Sequence, residues 1–206
     1  MQFDYIPVPS KAVFGENSAL KLKDEIIALG GKRVMIACTK NMVSRIQHVI
    51  DDLGEMCVSI YDKAKPHCPE HIALGAVEEF KSKNCDIIVA VGGGSTIGIG
   101  KAITLRTSAP LIVIVTTPCG SESTPIHGML IGNKKKTGRD PKVIANTSIY
   151  APALTPSMNA HLTGTIGMNS LAHCVEALYA KVKSPVSDLM AIEGIKSLTS
   201  GLPKSI

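Results

Sequence analysis

The sequence predicts an α/β chain: a mostly parallel sheet with helices on both faces, followed by the start of an all-helical domain. Three observations lead there. Short runs that are apolar at every position alternate with helical patterns through residue 115. One of those runs passes directly into three glycines and then a helix. Beyond residue 156 only helical patterns remain. Strands buried on both faces lose the two-residue alternation and read as continuous apolar segments, which makes this sheet Rossmann-like rather than a one-sided antiparallel one.

The elements follow in order. Residues 12–14 form a short strand closed by Gly15. Residues 18–29 are helical, with Leu22, Ile26 and Leu29 on one face and Gly30-Gly31 as the stop. RVMIA (33–37) is a buried strand, 41–53 a helix ended by Gly54, and 56–60 a strand. Pro69 opens a helix through Phe80, since proline suits a first helical turn. DIIVAV (86–91) is the clearest strand; it enters Gly92-Gly93-Gly94-Ser95 and a helix through Leu105. LIVIV (111–115) is another buried strand. Then 126–131, a turn at Gly132-Asn133, and 142–150 suggest an antiparallel excursion. Helices are expected over 163–179 and 186–198. Pro152 and Pro156 place a boundary near 150–156, giving an α/β domain at 1–155 and the beginning of a helical C-terminal domain at 156–206.

Composition narrows the function. The chain has 206 residues, 45% hydrophobic and 19% charged, which is globular rather than disordered. Its net charge of +5 suits a small anionic substrate. That charge is too mild for a nucleic-acid binder, and the aromatic platforms for stacking bases are missing at 3% aromatics and no Trp. No stretch is long enough to span a bilayer, and the first nine residues carry no apolar signal core. The six cysteines form no CxxC pair and read as free thiols in a reducing compartment, so a cytoplasmic protein is expected.

A strand ending in GGGS before a helix has a physical purpose. Glycine lets backbone approach a diphosphate, and the helix N-terminus offers unpaired N–H groups and partial positive charge. Ser95 adds a hydroxyl or serves as N-cap. The bland alternative is a tight turn with no ligand. The GxGxxG spacing fails at Ile97, and a P-loop fails at Ser95 and Ala102, so neither that fingerprint nor an NTPase is supported.

GGGSTIGIGKAI (92–103) resembles the dinucleotide loop of the iron-containing alcohol dehydrogenase superfamily, in particular its maleylacetate reductase branch, where glycine (here Gly98) replaces an aspartate of the alcohol dehydrogenases. TTPCGSESTP (116–125), GRDPKVI (138–144) and GMNSLAHCVEALY (167–179) resemble three further motifs of that branch, in order, and Asn17–Leu20 after FGE fits its opening. The resemblance implies NADH or NADPH as cofactor, with Gly93, Gly94 and Ser95 at the diphosphate. Thr116, Thr117, Gly120 and Ser121 would line the adenosine and nicotinamide side, and Thr39 would lie near the adenine ribose. Lys40 follows Thr39 where an acidic ribose anchor would be sought, which leaves NADH and NADPH both open. A homodimer is expected.

Asn169 and His173 are four apart and share one helix face. Metal-dependent members carry Asp and His there. The amide is a weaker ligand, so the resemblance implies that no metal is required. On the residues alone, His173 reads as a buried helix histidine hydrogen-bonded to a neighbour. The resemblance instead implies that it binds or protonates substrate. The implied reaction is reduction of maleylacetate, or a chloro-substituted analogue, to 3-oxoadipate in the breakdown of aromatic compounds. Catalytic residues would be His173, Asn169 and Arg139, the last a bidentate partner for a carboxylate. Superfamily members extend well past this length, so the helical domain is expected to be truncated. Two other readings stand beside this one: a metal-dependent alcohol or polyol dehydrogenase, against which Asn169 and Gly98 speak, and a non-catalytic dinucleotide-binding module.

Other residues read more plainly. His67, Cys68 and His71 have ligand-like spacing but no fourth partner, and a surface loop is expected rather than a structural zinc site. His127 either faces the cofactor or is a satisfied strand residue. Lys134–Lys136 is expected at a solvated hairpin tip. Ser121 lacks the GxSxG elbow of a hydrolase nucleophile.

Overall fold

The computed structural model describes residues 3–155 and 158–206. It divides into two compact units, one of residues 9–155 and the other of 1–8 with 156–206. Pro156, named above at the boundary, lies outside the described residues.

The larger unit is the α/β fold that the apolar runs predict. Its strands β1 (Lys11–Phe14), β2 (Val34–Ala37), β3 (Cys57–Tyr61), β4 (Ile87–Gly92) and β5 (Leu111–Val115) are joined by β8 (Thr147–Tyr150) in one sheet of order β1-β8-β5-β4-β2-β3. Every pairing in that sheet is parallel. Successive side chains leave a strand on opposite faces, and the two cores divide accordingly. Met35, Ala37, Ile88, Ala90, Leu111 and Val113 pack against α4 (Glu70–Ser82) and α5 (Gly94–Thr107). Val34, Ile36, Ile87, Val89, Ile112 and Ile114 pack against α1 (Leu22–Ala28), α2 (Lys40–Val43) and α3 (Gln47–Leu53).

Three details differ from the sequence expectation. The helix expected over 41–53 is interrupted by a 3-10 turn, Ser44–Ile46, yet Met42, Ile46, Val49 and Leu53 all remain buried on one face. Pro69 sits one residue before α4, with extended backbone (ψ 140°), rather than in its first turn. The strand expected at 142–150 is not part of an antiparallel excursion. Residues Pro141–Val143 form a 3-10 turn, and only β8 is extended, inserted parallel between β1 and β5. The excursion is a separate hairpin of β6 (Ile126–Ile131) and β7 (Lys134–Arg139). Lys134–Lys136 therefore lies along β7, and Gly132-Asn133 makes the tip; at φ +57° Gly132 supplies the left-handed conformation that tight turns need.

The second unit pairs α6 (Ala160–Tyr179) with α7 (Pro185–Gly201). Asn159 caps α6 by accepting from the Leu162 N–H (2.8 Å), and Ser184 caps α7 through a reciprocal exchange with Ser187. Glycine brings the two helical segments close: a Cβ on Gly194 would stand 2.7 Å from the Cys174 sulfur. Among the described residues no helix is long and apolar enough to cross a membrane.

Candidate cofactor site

Parallel strands place all their C-terminal ends on one edge, and ligands of such sheets settle where successive crossovers leave in opposite directions. Here that point lies between β2 and β4. The chain leaves β2 for α2 and α3 on one face and leaves β4 for α5 on the other. The glycine turn sits at this crevice.

Each glycine of the turn has its own task. Gly92 adopts φ +145°, and the space for a Cβ there is taken by the Thr96 hydroxyl. Gly93 caps α5 in extended conformation, and the space for a Cβ there is taken by the Thr117 hydroxyl. Gly94 faces open space, with nothing within 4 Å of its Cβ direction. The first helical bond runs from Ile97 N–H to Gly93 O (3.0 Å), so the N–H groups of Gly94, Ser95 and Thr96 have no carbonyl within the helix. Ser95 is thus the second helical residue and not the N-cap. Six residues on, Gly100 lets α5 settle on the sheet, since a Cβ would meet Leu111 Cδ1 at 2.7 Å and Ala90 Cβ at 3.2 Å. Turn, close approach and helix–sheet contact are the three glycine tasks of a dinucleotide fingerprint, met here with a different spacing.

The structure brings several expected residues together. Thr116 donates its N–H to Gly92 O (3.1 Å), and Thr117 lies against Gly93, so the segment after β5 forms a second wall beside the turn. Thr39 follows β2 on the same edge, exposed, bridged to Lys63. Gly120 takes φ +67° and leads into the 3-10 turn Ser121–Ser123. Arg139 is exposed at the end of β7, opposite Ile126. Asn169 and His173 belong to the helical unit. Both are exposed rather than buried, which corrects the core-histidine reading, and His173 Nδ1 is 3.2 Å from Glu176 Oε2.

Two features were not visible in the sequence. The loop before α4 is exposed through His67 as expected, but Cys68 at its end is buried at φ +51° beneath Gly98, where a Cβ would be 3.0 Å from Cys68 Cβ and 3.2 Å from its sulfur. Burial pushes this thiol up to about 11. The second is Lys101, whose side chain is wholly buried within α5. Its ammonium donates to Thr124 O (2.7 Å), Ile126 O (2.6 Å) and Thr124 Oγ1 (3.3 Å). Glu122, also buried, accepts from the Tyr150 hydroxyl (3.0 Å) and lies 3.9 Å from the Cys119 sulfur. Burial lowers Lys101 to about 8, against the opposing pull of Glu122. The available signal was a lysine amid small and apolar residues from Gly94 to Leu105. His127, meanwhile, lays its ring across the Gly138 backbone of the paired strand.

The fit to ligands differs. The open face at Gly94, the unpaired N–H groups of α5 and the Thr116–Thr117 wall fit the diphosphate of a dinucleotide. Among the described residues no three of His, Cys, Asp and Glu gather to hold a metal ion. Asn169 and His173 supply two donors, short of a closed coordination shell.

Comparison with known proteins gives the following. A family model described as iron-containing alcohol dehydrogenase matches residues 9–152. Maleylacetate reductase 2 of Cupriavidus pinatubonensis is 38% identical over 198 residues, which is 96% of this chain and 55% of that protein. The crystal structure of maleylacetate reductase from Agrobacterium tumefaciens superposes with a TM-score of 0.94 at 36% identity, over 98% of this chain and 58% of that one. A sulfoacetaldehyde reductase from Bifidobacterium kashiwanohense, solved in complex with NAD+, superposes at 0.92 with 25% identity, over 100% of this chain and 61% of its own. The chain thus spans a little over half the length of the relatives it matches.

Proposed function

Because the chain belongs to the iron-containing alcohol dehydrogenase family, we propose that its α/β unit binds NADH or NADPH and serves a maleylacetate reductase. The observation that carries this reading is the turn at the β2/β4 crevice. Gly94 faces open space at the start of α5, where the first N–H groups have no carbonyl within the helix, while Thr96 and Thr117 crowd Gly92 and Gly93. The ordered set of four motifs, and the relatives at 34–39% identity described as maleylacetate reductases, support the substrate class.

A bound reduced nicotinamide supplies a hydride. That hydride would add to the alkene carbon β to the ketone, and the negative charge left on the ketone oxygen would need stabilising. Preplaced donors stabilise such charge best where water is excluded. The Asn169 amide and the His173 imidazole, four residues apart on α6, are assigned to that oxygen. His173 also provides the proton that completes addition across the double bond. The Arg139 guanidinium is assigned to a substrate carboxylate, which it can grip with two parallel hydrogen bonds. Main-chain amides of Gly94 and Ser95 hold the cofactor diphosphate.

The test is fluorescence titration of NADH and NADPH into the purified chain, followed by absorbance at the nicotinamide band after adding maleylacetate. Binding with turnover supports the whole reading. Binding without turnover retains the dinucleotide site and removes the reductase assignment from this chain. Absence of binding rejects both.

A further inference from the structure

We propose that Lys101 is a positioning residue of the dinucleotide site, tying residues 116–126 to the helix that carries the glycine turn so that the two walls of the site move as one body. The proposal rests on the cofactor reading given above.

Segment 116–126 is held at both ends. At its start, Thr116 N–H meets Gly92 O and Thr117 packs on Gly93. At its finish, Thr124 and Ile126 both turn a carbonyl toward Lys101. Glu122 adds a backbone tie between them, accepting from Ala145 N–H at 3.1 Å. Between these points Gly120 adopts left-handed backbone and Cys119 N–H bonds Thr117 O at 2.8 Å. The stretch that would lie against the nicotinamide side is therefore a short span between two anchors, the glycine turn that joins β4 to α5 and Lys101 on α5 itself.

The chemistry of the anchor is specific. An ammonium has three N–H donors and no acceptor, and three acceptors of one segment converge on it. Burying a cation is costly unless it is paired and fully hydrogen-bonded. A methionine of similar length would fill the same volume without that cost, but it would take from the Thr124 and Ile126 carbonyls the donor they share. Lysine at this position is thus explained by what it holds. Glu122 supplies the balancing charge from within the held segment, and the Tyr150 hydroxyl fixes that carboxylate from β8. The same residue does not touch the reaction: its ammonium is consumed by Thr124 and Ile126.

The experiment compares the full chain with Lys101→Met and Lys101→Arg, reading NADH affinity by fluorescence and amide hydrogen exchange of the 119–126 peptide, well below each variant's melting temperature. The expected result for Lys101→Met is faster exchange in 119–126 and an NADH Kd raised about tenfold or more, with recovery of both toward the parent value in Lys101→Arg. A purely structural lysine would lower the melting temperature but leave the Kd of the folded variant unchanged, and that outcome overturns the proposal. If Lys101→Met does not fold, the unaltered chain decides: saturating NADH should slow exchange in 119–126 together with 92–99, and protection confined to 92–99 overturns the proposal. If the unaltered chain binds no NADH, the cofactor reading fails and the positioning role falls with it. Peptide exchange in the variants then still reports whether the tie itself exists, so the two failures are told apart.

Discussion

Helices α5 and α6 carry similar kinds of side chain and meet opposite fates. In α5 eight residues, from Thr96 through Thr104, are buried, including a lysine. In α6, which is longer and richer in apolar residues, only Gly167 is buried, while Met168, Val175 and Tyr179 are exposed. The difference lies in the layers around each helix. The sheet underlies α5, α4 flanks it, and the β6–β7 hairpin and the Pro141–Val143 turn contact it. Within its unit α6 packs on α7 and the short Leu202–Lys204 turn. Burial is thus conferred by neighbours, and helical periodicity alone does not reveal how many neighbours a helix has.

The comparison can be broken by substitution. Ile103→Ala on α5 removes a wholly buried side chain and should cost about 4 kcal/mol, read from urea unfolding; a cost below about 1 kcal/mol would mean the α5 core is loose. Gly100→Ala pushes a methyl against Leu111 and Ala90 and should cost about 2 kcal/mol. On the helical side, Gly167→Ala meets the side chain of Leu202, which lies half-buried in a short terminal turn, and should be milder.

Alkaline titration should sharpen the contrast, because every group with a resolved shift lies in the α/β unit, Lys101 lowered and five thiols and two tyrosines raised. Lys101 is lowered from 10.5 to about 8, so between those values the unfolded chain holds the extra proton and stability rises with pH. Cys38 and Cys68 are raised by burial from 9.0 to about 11. Between those values the folded chain holds the extra protons, and stability falls. One amine gains from about pH 8, and five thiols, Cys57, Cys85 and Cys119 being raised by burial as well, lose from about pH 9. A stability maximum between about pH 8 and 9 follows, with limbs of at most about 1.4 kcal/mol per pH unit for each net proton. Lys101→Met should remove the rising limb; urea midpoints from pH 7.5 to 10.5 would show whether it does. Smaller still, Asn159→Ala should cost about 1 kcal/mol through the lost α6 cap. Met168→Ser should stay within about 0.5 kcal/mol, and a large loss there would show that the exposed face of α6 is covered in solution.

Legibility in the sequence followed the range of the interactions. Buried strands such as 87–92 and 111–115 are visible because each residue type reports its own burial. The glycine turn is visible because its task is local. The 142–150 segment misled because a polar, turn-rich stretch hides a four-residue strand whose parallel partners, β1 and β5, are distant in sequence. Lys101 and Cys68 were missed for the same reason: what matters about each is a contact more than twenty residues away. For Asn169 and His173, the sequence fixes a shared helix face, and the structure adds that this face is exposed.

The contact between Cys68 and Gly98 turns two separate positions into one inherited character. A carboxylate at 98 crowds the Cys68 side chain, which must give by a few tenths of an ångström, so Gly98→Asp alone should lower stability, whereas the double change Cys68→Gly with Gly98→Asp relieves both the crowding and the left-handed backbone at 68. The residue tolerated at 98 is thus set in part by the residue at 68.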